Sequence, residues 1–164
     1  MTTAAVVTVS DKGYAGLRAD KSGPFLGQLL AAMGFEVVFS IIVPDEREQI
    51  AALLRELADS RGITLVITTG GTGAAPRDVT PEATKEVIER EMPGLAELIR
   101  SEGYKKTPFA VLSRGVAGIR KGTLIINLAG SPKAVEEGME ILAHVLPHAL
   151  QMLRGENLEH NKRG

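Results

Sequence analysis

Short apolar runs rich in β-branched residues alternate with amphipathic helical patterns in the first part of the chain. The apolar runs cover residues 4–9, 35–43 and 63–69. Leucine and isoleucine recur at helical spacing after Ser22, the predicted N-cap of the first helix, and after Pro44, which ends the second run. An alternation of strands and helices places the strands side by side and parallel, with helices on the faces of the sheet. The sequence therefore predicts an α/β fold with a mostly parallel central sheet.

The second half of the chain carries a less regular pattern. Thr80 is predicted to cap a helix that is interrupted at Pro93, and residues 104–118 show little helical periodicity. The run TLIINL at 123–128 predicts another strand. A last helical region follows, and Pro147 should kink or split it because proline cannot continue the backbone hydrogen bonding of a helix.

Composition limits the class of protein. The length of 164 residues fits one domain over residues 1–164, with a polar tail at 155–164 that we expect to be flexible. The net charge of −1 gives no indication of a nucleic-acid or membrane partner. Cysteine is absent, which excludes disulfides and thiolate metal sites. No apolar run reaches the roughly 18–20 residues of a membrane span, and no signal peptide is recognised, so we expect a cytoplasmic protein.

A glycine-rich loop follows the apolar run at 65–69. The loop consists of Gly70, Gly71, Thr72 and Gly73. Glycines in this position let backbone N–H groups surround an anion, because no Cβ stands in the way. A tight turn between a strand and a helix uses the same residues, so spacing alone favours neither interpretation. Arg77 and Asp78, which follow in the same loop, could serve a phosphate and a metal ion, and they favour phosphate binding.

Two aspartates follow neighbouring strands of the predicted sheet. Asp45 comes after the second strand and Asp78 after the third. Each alone would most simply be a capping or turn residue. Because parallel strands end at the same edge of a sheet, however, both carboxylates should lie beside the glycine loop. Mg²⁺ is bound in proteins through one or two carboxylates together with phosphate groups, so the pair predicts a magnesium site.

Further polar loops should reach the same edge. Ser10 and Asp11 leave the first strand, and Gly130, Ser131 and Pro132 leave the 123–128 strand and open a helix. A P-loop nearly appears at 16–22, but Asp20 stands where that motif needs its second glycine, so we reject it. Convergence of these loops predicts a nucleotide or phosphate site without identifying the reaction.

Four stretches of the chain together resemble the molybdopterin adenylyltransferase family, which includes the C-terminal domain of the plant enzyme and the N-terminal domain of gephyrin. They read SDKGYAGLRADKSGP, VPDE, TTGGTGAAPRDVTPEAT and TPFAVLSRGVAGIRKGTLIINLAGSPKAV. The resemblance runs from Ser10 to about Leu150. One departure is Ala129, where many relatives have proline, and we expect it to alter loop rigidity more than chemistry.

The resemblance implies a three-layer α/β fold, usually assembled as a homotrimer, and a role in molybdenum cofactor biosynthesis. It implies transfer of AMP from Mg-ATP to the terminal phosphate of molybdopterin, with release of pyrophosphate. Mg²⁺ would be the cofactor and ATP the co-substrate, and other proteins of molybdenum cofactor biosynthesis would be partners. The alternative is a catalytically weak molybdopterin-binding or carrier protein with the same fold.

The resemblance also assigns roles to individual residues. Asp45 and Asp78 match the two aspartates that matter most for catalysis, and they would hold the metal. The positions that match nucleotide-binding motifs are Ser10, Asp11, Asp20, Ser22, Gly23, Gly70, Gly71, Thr72, Gly73, Gly130, Ser131 and Pro132. Ser113 and Arg114 match the segment near the pterin phosphate.

Overall fold

The computed structural model describes residues 1–156, and its centre is a sheet of six strands. The strands are β1 (Thr3–Val9), β2 (Glu36–Val43), β3 (Leu65–Thr69), β4 (Arg90–Glu91), β5 (Ala117–Arg120) and β6 (Thr123–Leu128). Their spatial order is β2-β1-β3-β6-β5-β4. The pairs β1–β2, β1–β3 and β3–β6 are parallel, whereas β5 pairs antiparallel with both β4 and β6. Four parallel strands therefore end at one edge of the sheet.

Helices connect the strands and cover the sheet. They are α1 (Asp11–Tyr14), α2 (Ser22–Ala32), α3 (Arg47–Arg55), α4 (Thr80–Val87), α5 (Pro93–Tyr104), α6 (Pro132–Leu142) and α7 (Leu146–Leu153). A π-helical turn at Glu56–Ser60 continues α3, and a 3₁₀ helix at Pro108–Leu112 follows α5. Within residues 1–156, none of these helices is long and apolar enough to cross a membrane.

Buried side chains form one apolar layer on each face of the sheet. In β1, Ala4 and Val6 pack with side chains of α2, α5, α6 and α7, whereas Ala5 and Val7 pack with side chains of α3 and α4. Successive residues of a strand point to opposite faces, so a strand covered on both faces is apolar throughout. This explains the continuous apolar runs of the sequence, and it confirms the three-layer α/β fold.

The predicted strands are confirmed, and β6 has the predicted bounds Thr123–Leu128. The prediction for residues 104–118 was incomplete, because the 3₁₀ helix and the start of β5 lie there, and β4 was missed as well. β4 and β5 have two and four residues, too few to show a periodic pattern. Their conformation depends on pairing, as Arg90 lies opposite Ile119 and Ala117 lies opposite Ile126.

The predicted N-caps Ser22 and Thr80 were wrong. Each is the first residue of its helix, and neither hydroxyl caps it. Ser22 Oγ donates to the carbonyl of Gly130 at 2.7 Å, and Thr80 Oγ1 donates to the carbonyl of Gly70 at 3.0 Å. Both hydroxyls therefore tie the start of a helix to a neighbouring loop, and these tertiary hydrogen bonds replace the local ones that a cap would make.

The C-terminal helical region is split as predicted. α6 ends at Leu142 and α7 begins at Leu146, with Pro147 in its first turn. Gly155, with a φ of +69°, donates to the carbonyl of Met152 at the end of α7. The rest of the predicted flexible tail, residues 157–164, lies outside the described residues.

Candidate active site

Four loops meet where the parallel strands end. They cover residues 10–21, 44–46, 70–79 and 129–131, and they follow β1, β2, β3 and β6. A cavity of about 840 Å³ opens between them, and a second cavity of about 610 Å³ opens beside the loops at 70–79 and 129–131. This is the edge at which open α/β sheets bind their ligands.

The larger cavity, here called the polar cavity, is lined by charged side chains of both signs. Its acidic residues are Asp11, Asp20, Asp45 and Asp78, and its basic residues are Lys12, Arg18 and Lys21. Within residues 1–156 these three cations form no ion pair. The cavity thus offers carboxylates for a metal ion and unpaired cations for an anion.

The smaller cavity, here called the apolar cavity, lies between α5, the 3₁₀ helix and α6. Apolar side chains from all three line it, including Ile99, Phe109, Leu112 and Ile141. Phe109 is 75% exposed and Leu112 is 63% exposed, so the cavity presents an open apolar wall. The residues that line both cavities are Gly70, Gly71, Asp78, Gly130 and Ser131. Ligands in the two cavities would therefore approach one another across the glycine loop.

The first two glycines of the loop are required by the backbone. Gly70 has a φ of +103° and Gly71 a φ of +68°, a region that residues with a side chain rarely adopt. A Cβ on Gly70 would lie 2.3 Å from the carbonyl oxygen of Val9, and one on Gly71 would lie 2.3 Å from Thr80 Oγ1. The backbone therefore requires glycine at both positions, whereas the loop to α4 spans ten residues and is longer than a tight turn; the anion-binding interpretation stays a prediction.

Unused donors in the glycine loop are compatible with that prediction. The N–H of Gly70 donates to the carbonyl of Leu128 at 3.0 Å. The N–H groups of Gly71, Thr72 and Gly73 donate no hydrogen bond within residues 1–156. Three successive backbone N–H groups without a partner can donate hydrogen bonds to the oxygen atoms of a bound anion.

Asp45 is held by reciprocal hydrogen bonds with Asp11. Asp45 Oδ2 accepts from the N–H of Asp11 at 2.9 Å, and Asp11 Oδ1 accepts from the N–H of Asp45 at 2.9 Å. Arg77 donates to both oxygens of Asp11 at 2.9 Å and 3.0 Å, and to Glu46 at 3.0 Å. The capping interpretation of Asp45 is wrong, because α3 begins only at Arg47 and its N-cap makes no side-chain bond.

The two linked aspartates have opposite electrostatic environments. Burial raises the pKa of Asp45 above its ordinary value, and although the hydrogen bond from the Asp11 backbone opposes this shift, the charges of Asp11 and Asp78 add to it. Hydrogen bonds from Arg77 and from the backbone of Asp45 lower the pKa of Asp11. Negative charge at Asp45 is therefore poorly compensated within the protein, and a bound cation would compensate it.

The carboxylates fit a magnesium ion that is shared with a ligand. Asp45 and Asp78 both line the polar cavity, and Asp45 Oδ1 accepts no hydrogen bond within residues 1–156. No group of three or more metal-binding His, Cys, Asp or Glu side chains occurs in the same part of the chain. One or two carboxylates, together with waters and phosphate oxygens of a substrate, are the ligands that Mg²⁺ takes in proteins.

Asp78 also stabilises the loop in which it lies. Its Oδ2 accepts from the N–H of Ala75 at 2.9 Å, and a Cβ on Gly73 would lie 2.8 Å from the same oxygen. The turn role that an isolated aspartate would have is therefore present here, and Asp78 in addition borders both cavities.

Arg114 clamps the same loop from the other side. It donates to the carbonyls of Gly73 and Asp78, both at 2.8 Å, and it pairs with Glu82 at 2.7 Å. Arg114 lines neither cavity, whereas Ser113 lines the apolar cavity. Direct binding of the pterin phosphate by these two residues stays a prediction, and the geometry gives Arg114 a structural role that the sequence did not show.

Of three further residues predicted to bind the nucleotide, two line the polar cavity and one lines neither cavity. Asp20 and Ser22 line the polar cavity, but Gly23 lines neither cavity. Asp20 accepts from Thr8 Oγ1 at 2.8 Å and from the N–H of Gly23 at 2.9 Å. A Cβ on Gly23 would lie 2.3 Å from Asp20 Oδ2, so this glycine permits the loop to close against α2.

The other residues predicted to bind the nucleotide include two helix caps, and some of these residues line the polar cavity whereas others line only the apolar cavity. Ser10 caps α1 and Ser131 caps α6 through their hydroxyls, and both line the polar cavity together with Pro132. Thr72 and Gly73 line only the apolar cavity. The glycine loop therefore faces both cavities, whereas the sequence assigned all of it to the nucleotide.

Sequence analysis missed the wall that α6 contributes to the apolar cavity. Ala134, Glu137, Gly138 and Ile141 line it. Their spacing of i, i+3, i+4 and i+7 marks one face of a helix, so a signal was present. It was overlooked because the core face of the same helix, with Val135, Met139 and Leu142, gives a stronger apolar pattern.

Comparisons with known proteins identify the family of this chain. Residues 5–148 match a family model described as "Probable molybdopterin binding domain". The molybdopterin adenylyltransferase of Helicobacter pylori strain 26695 is 38% identical over 160 residues, which cover 96% of this chain and 91% of that protein. The molybdopterin biosynthesis enzyme MoaB from Thermus thermophilus has a TM-score of 0.90 and 51% identity, covering 97% of this chain and 100% of that one.

A longer relative contains the same unit. The molybdenum cofactor synthesis protein cinnamon of Drosophila melanogaster is 45% identical over 152 residues, which are 92% of this chain and 25% of that protein. The chain thus spans a quarter of that relative and nearly the whole of the bacterial ones. The family model, these relatives and the fold together show that the chain belongs to the molybdopterin-binding domain family of molybdenum cofactor biosynthesis.

Proposed function

We propose that this protein is a molybdopterin adenylyltransferase, which transfers AMP from Mg-ATP to the terminal phosphate of molybdopterin and releases pyrophosphate. The observation that carries the proposal is the pair of unlike cavities that share Gly70, Gly71 and Asp78. The polar cavity suits a triphosphate with its metal, and the apolar cavity suits a flat pterin ring. The names of the bacterial relatives agree with this reaction.

The reaction joins two anions, so compensation of charge is the main task of the site. An oxygen of the molybdopterin phosphate forms a bond to the α-phosphorus of ATP, and the bond from that phosphorus to the oxygen of the β-phosphate breaks. Lys12, Arg18 and Lys21 would stabilise the charge that accumulates on the leaving pyrophosphate. The free N–H groups of Gly71 and Gly73 would position phosphate oxygens without an intervening side chain.

The site needs no strong general base. A phosphate monoester has a second pKa of about 6 and is largely ionised near neutral pH. Neither cavity is lined by a histidine within the described residues, in agreement with a nucleophile that is already charged. Asp45 and Asp78 would hold Mg²⁺ directly or through water. When bound, that ion would offset the negative charge of the triphosphate.

The assembly and location of the protein are also proposals. We propose a homotrimer that works in the cytoplasm with other proteins of molybdenum cofactor biosynthesis, as the resemblance of the sequence implies. Light scattering coupled to gel filtration measures the mass, and a mass near three times 17.4 kDa would support the trimer.

The test is transfer of label from α-labelled ATP to molybdopterin in the presence of Mg²⁺. Wild type should release pyrophosphate and form labelled product. Asp45→Asn and Asp78→Asn should each lower kcat by about 10²–10³-fold, the range seen when one group that stabilises a charged transition state is removed. Asp59→Asn is the matched control, because Asp59 pairs with Arg120 and lines neither cavity.

Two results would contradict the proposal. Tight molybdopterin binding by wild type without transfer would support the carrier protein instead. Binding of neither molybdopterin nor ATP would exclude both functions. Full turnover by Asp78→Asn would leave the transferase intact but remove Asp78 from its mechanism.

A further inference from the structure

One carboxylate of the apolar cavity has no partner within residues 1–156. Glu137 lines this cavity, and the only other acidic residue in the lining is Asp78 at the shared wall. Within residues 1–156, Glu137 forms no ion pair. No side-chain hydrogen bond involves it there either. It is half-buried, whereas Glu136 and Glu140 on the same helix are exposed.

The position of Glu137 on α6 is fixed by tight packing of the helix against the sheet. A Cβ on the adjacent Gly138 would lie 2.9 Å from Leu128 Cδ2, so the backbone of α6 lies close to β6 at this level. Ala134 and Ile141, one turn to either side, line the same cavity. Within residues 1–156, Glu137 is therefore a half-buried carboxylate without a partner in the wall of an apolar cavity, and a ligand with hydrogen-bond donors could satisfy it.

We propose that Glu137 is the specificity-determining residue for the pterin, and that its carboxylate binds the aminopyrimidinone edge of the ring. This inference rests on the proposed function. The edge carries an exocyclic amino group beside a ring N–H, two parallel donors that one carboxylate can accept together, as it does from the guanidinium of arginine. Bound this way, the ring lies between α5 and α6.

The orientation has a consequence for the reaction. Glu137 belongs to α6, and the glycine loop forms the wall that the apolar cavity shares with the polar cavity. A pterin anchored by Glu137 would direct its phosphate-bearing side toward Ser113 and the free N–H groups of Gly71 and Gly73. The carboxylate would thus set which end of the substrate meets ATP.

The test compares two probes that differ only at the recognised edge. One is the phosphate ester of 6-hydroxymethylpterin, and the other is the matching lumazine, in which a carbonyl replaces the 2-amino group. Calorimetric titration of wild type should show about 10- to 100-fold tighter binding of the pterin, the range for paired hydrogen bonds to a charged group. Glu137→Gln should weaken pterin binding by a similar factor and reduce the preference over lumazine to within about threefold.

Controls separate recognition from folding and from the nucleotide site. Glu136→Gln makes the same change at the neighbouring exposed position and should keep the wild-type preference. The affinity of Glu137→Gln for ATP should be unchanged, and its melting temperature should not fall below that of wild type, because the side chain has no partner to lose among residues 1–156. If Glu137→Gln were to aggregate, Glu137→Ala would be titrated in its place.

The outcomes distinguish this inference from the function on which it rests. AMP transfer by wild type together with equal pterin affinity in Glu137→Gln would overturn the inference and leave the proposed function intact. Equal binding of the pterin and the lumazine by wild type would also overturn it. A wild-type protein that neither binds the pterin probe nor transfers AMP to molybdopterin would remove both.

Discussion

The two cavities share a wall but hold their charged side chains in different ways. In the polar cavity, Asp11 and Asp45 are fixed by reciprocal hydrogen bonds of 2.9 Å, and Arg77 fixes Asp11 in turn. In the apolar cavity, Glu137 is held by none of the described residues. Preorganised charges suit a site where charge changes during reaction, because little reorganisation is then needed. A carboxylate without a partner suits recognition, because only a ligand with suitably placed donors can supply the hydrogen bonds that the carboxylate accepts.

The glycine loop that the two cavities share is the first place to test this difference. Gly71→Val should have the largest effect, because Gly71 has a φ of +68° and an added Cβ would lie 2.3 Å from Thr80 Oγ1. We expect the free energy of unfolding to fall by at least about 2 kcal/mol. Both ATP and pterin binding should be lost in whatever protein folds. Chemical denaturation and titration with each ligand measure the two effects.

Gly122→Val is the control for that experiment. Gly122 lies in the turn between β5 and β6, where an added Cβ meets nothing within 4 Å. Normal binding of both ligands is expected. Unchanged ATP affinity in a folded Gly71→Val protein would contradict the role of the glycine loop as an anion site.

Substitutions of the two arginines at the ligand-binding edge of the sheet should have smaller effects, and the affected substrates should differ. Arg77 binds Asp11 and Glu46 beside the polar cavity, whereas Arg114 clamps the loop carbonyls of Gly73 and Asp78. Arg77→Met should raise the KM for ATP by about 3- to 10-fold and leave the pterin affinity unchanged, because it removes the exposed charge-assisted contacts that hold Asp11 beside the polar cavity. Arg114→Met should weaken both substrates, because it loosens the shared wall. Initial rates with each substrate varied in turn distinguish these patterns.

The result for Arg114 also tests the role that the sequence suggested. A loss confined to the pterin phosphate would support direct contact between Arg114 and that phosphate. Equal losses for both substrates would support the clamp. Lysine at position 114 keeps the charge but not the forked geometry, so Arg114→Lys should restore activity only if charge alone is needed.

Local patterns predicted the framework of the molecule, and long-range contacts decided the rest. The parallel strands and the glycine turn follow from residues that are adjacent in the sequence, so both were predictable. The hydroxyl of Ser22 instead binds the carbonyl of Gly130, 108 positions away, and this replaced the predicted cap. The Asp11–Asp45 pair spans 34 positions. A single sequence carries no sign of either partner, although it placed both loops at the correct edge of the sheet.

The walls of the apolar cavity show a second kind of omission. The 3₁₀ helix at Pro108–Leu112 has five residues and an exposed Phe109, so no periodic pattern indicates it. Glu137 lies on the face of α6 that lines the cavity, and the buried apolar residues of the same helix lie on the face that packs in the core. Such walls are determined by how α5 and α6 pack together. The sequence carried a signal for the α6 face, but its role as a wall of the cavity became recognisable only once that packing was known.

The smallest expected effects are on stability, and they should have opposite signs for Asp45 and Asp11 of the polar cavity. The pKa of Asp45 is raised by burial, so its ionised form is less favourable in the folded protein than in the unfolded one. Asp45→Asn should therefore raise the melting temperature at neutral pH. The gain should disappear as the pH falls through the raised pKa, because wild-type Asp45 is then neutral as well.

Asp11 should behave in the opposite way. Arg77 and the Asp45 backbone lower its pKa, so ionised Asp11 stabilises the folded protein above the ordinary aspartate value. This stability is lost as the pH falls through the lowered pKa. Asp11→Asn should thus lower the melting temperature at neutral pH and match wild type in acid, and thermal scans from pH 3 to 8 compare the two variants. Shifts of the same sign in both would contradict the opposed environments. Opposite shifts would mean that the polar cavity keeps Asp45 charged at a cost to stability, which bound Mg²⁺ and nucleotide would offset.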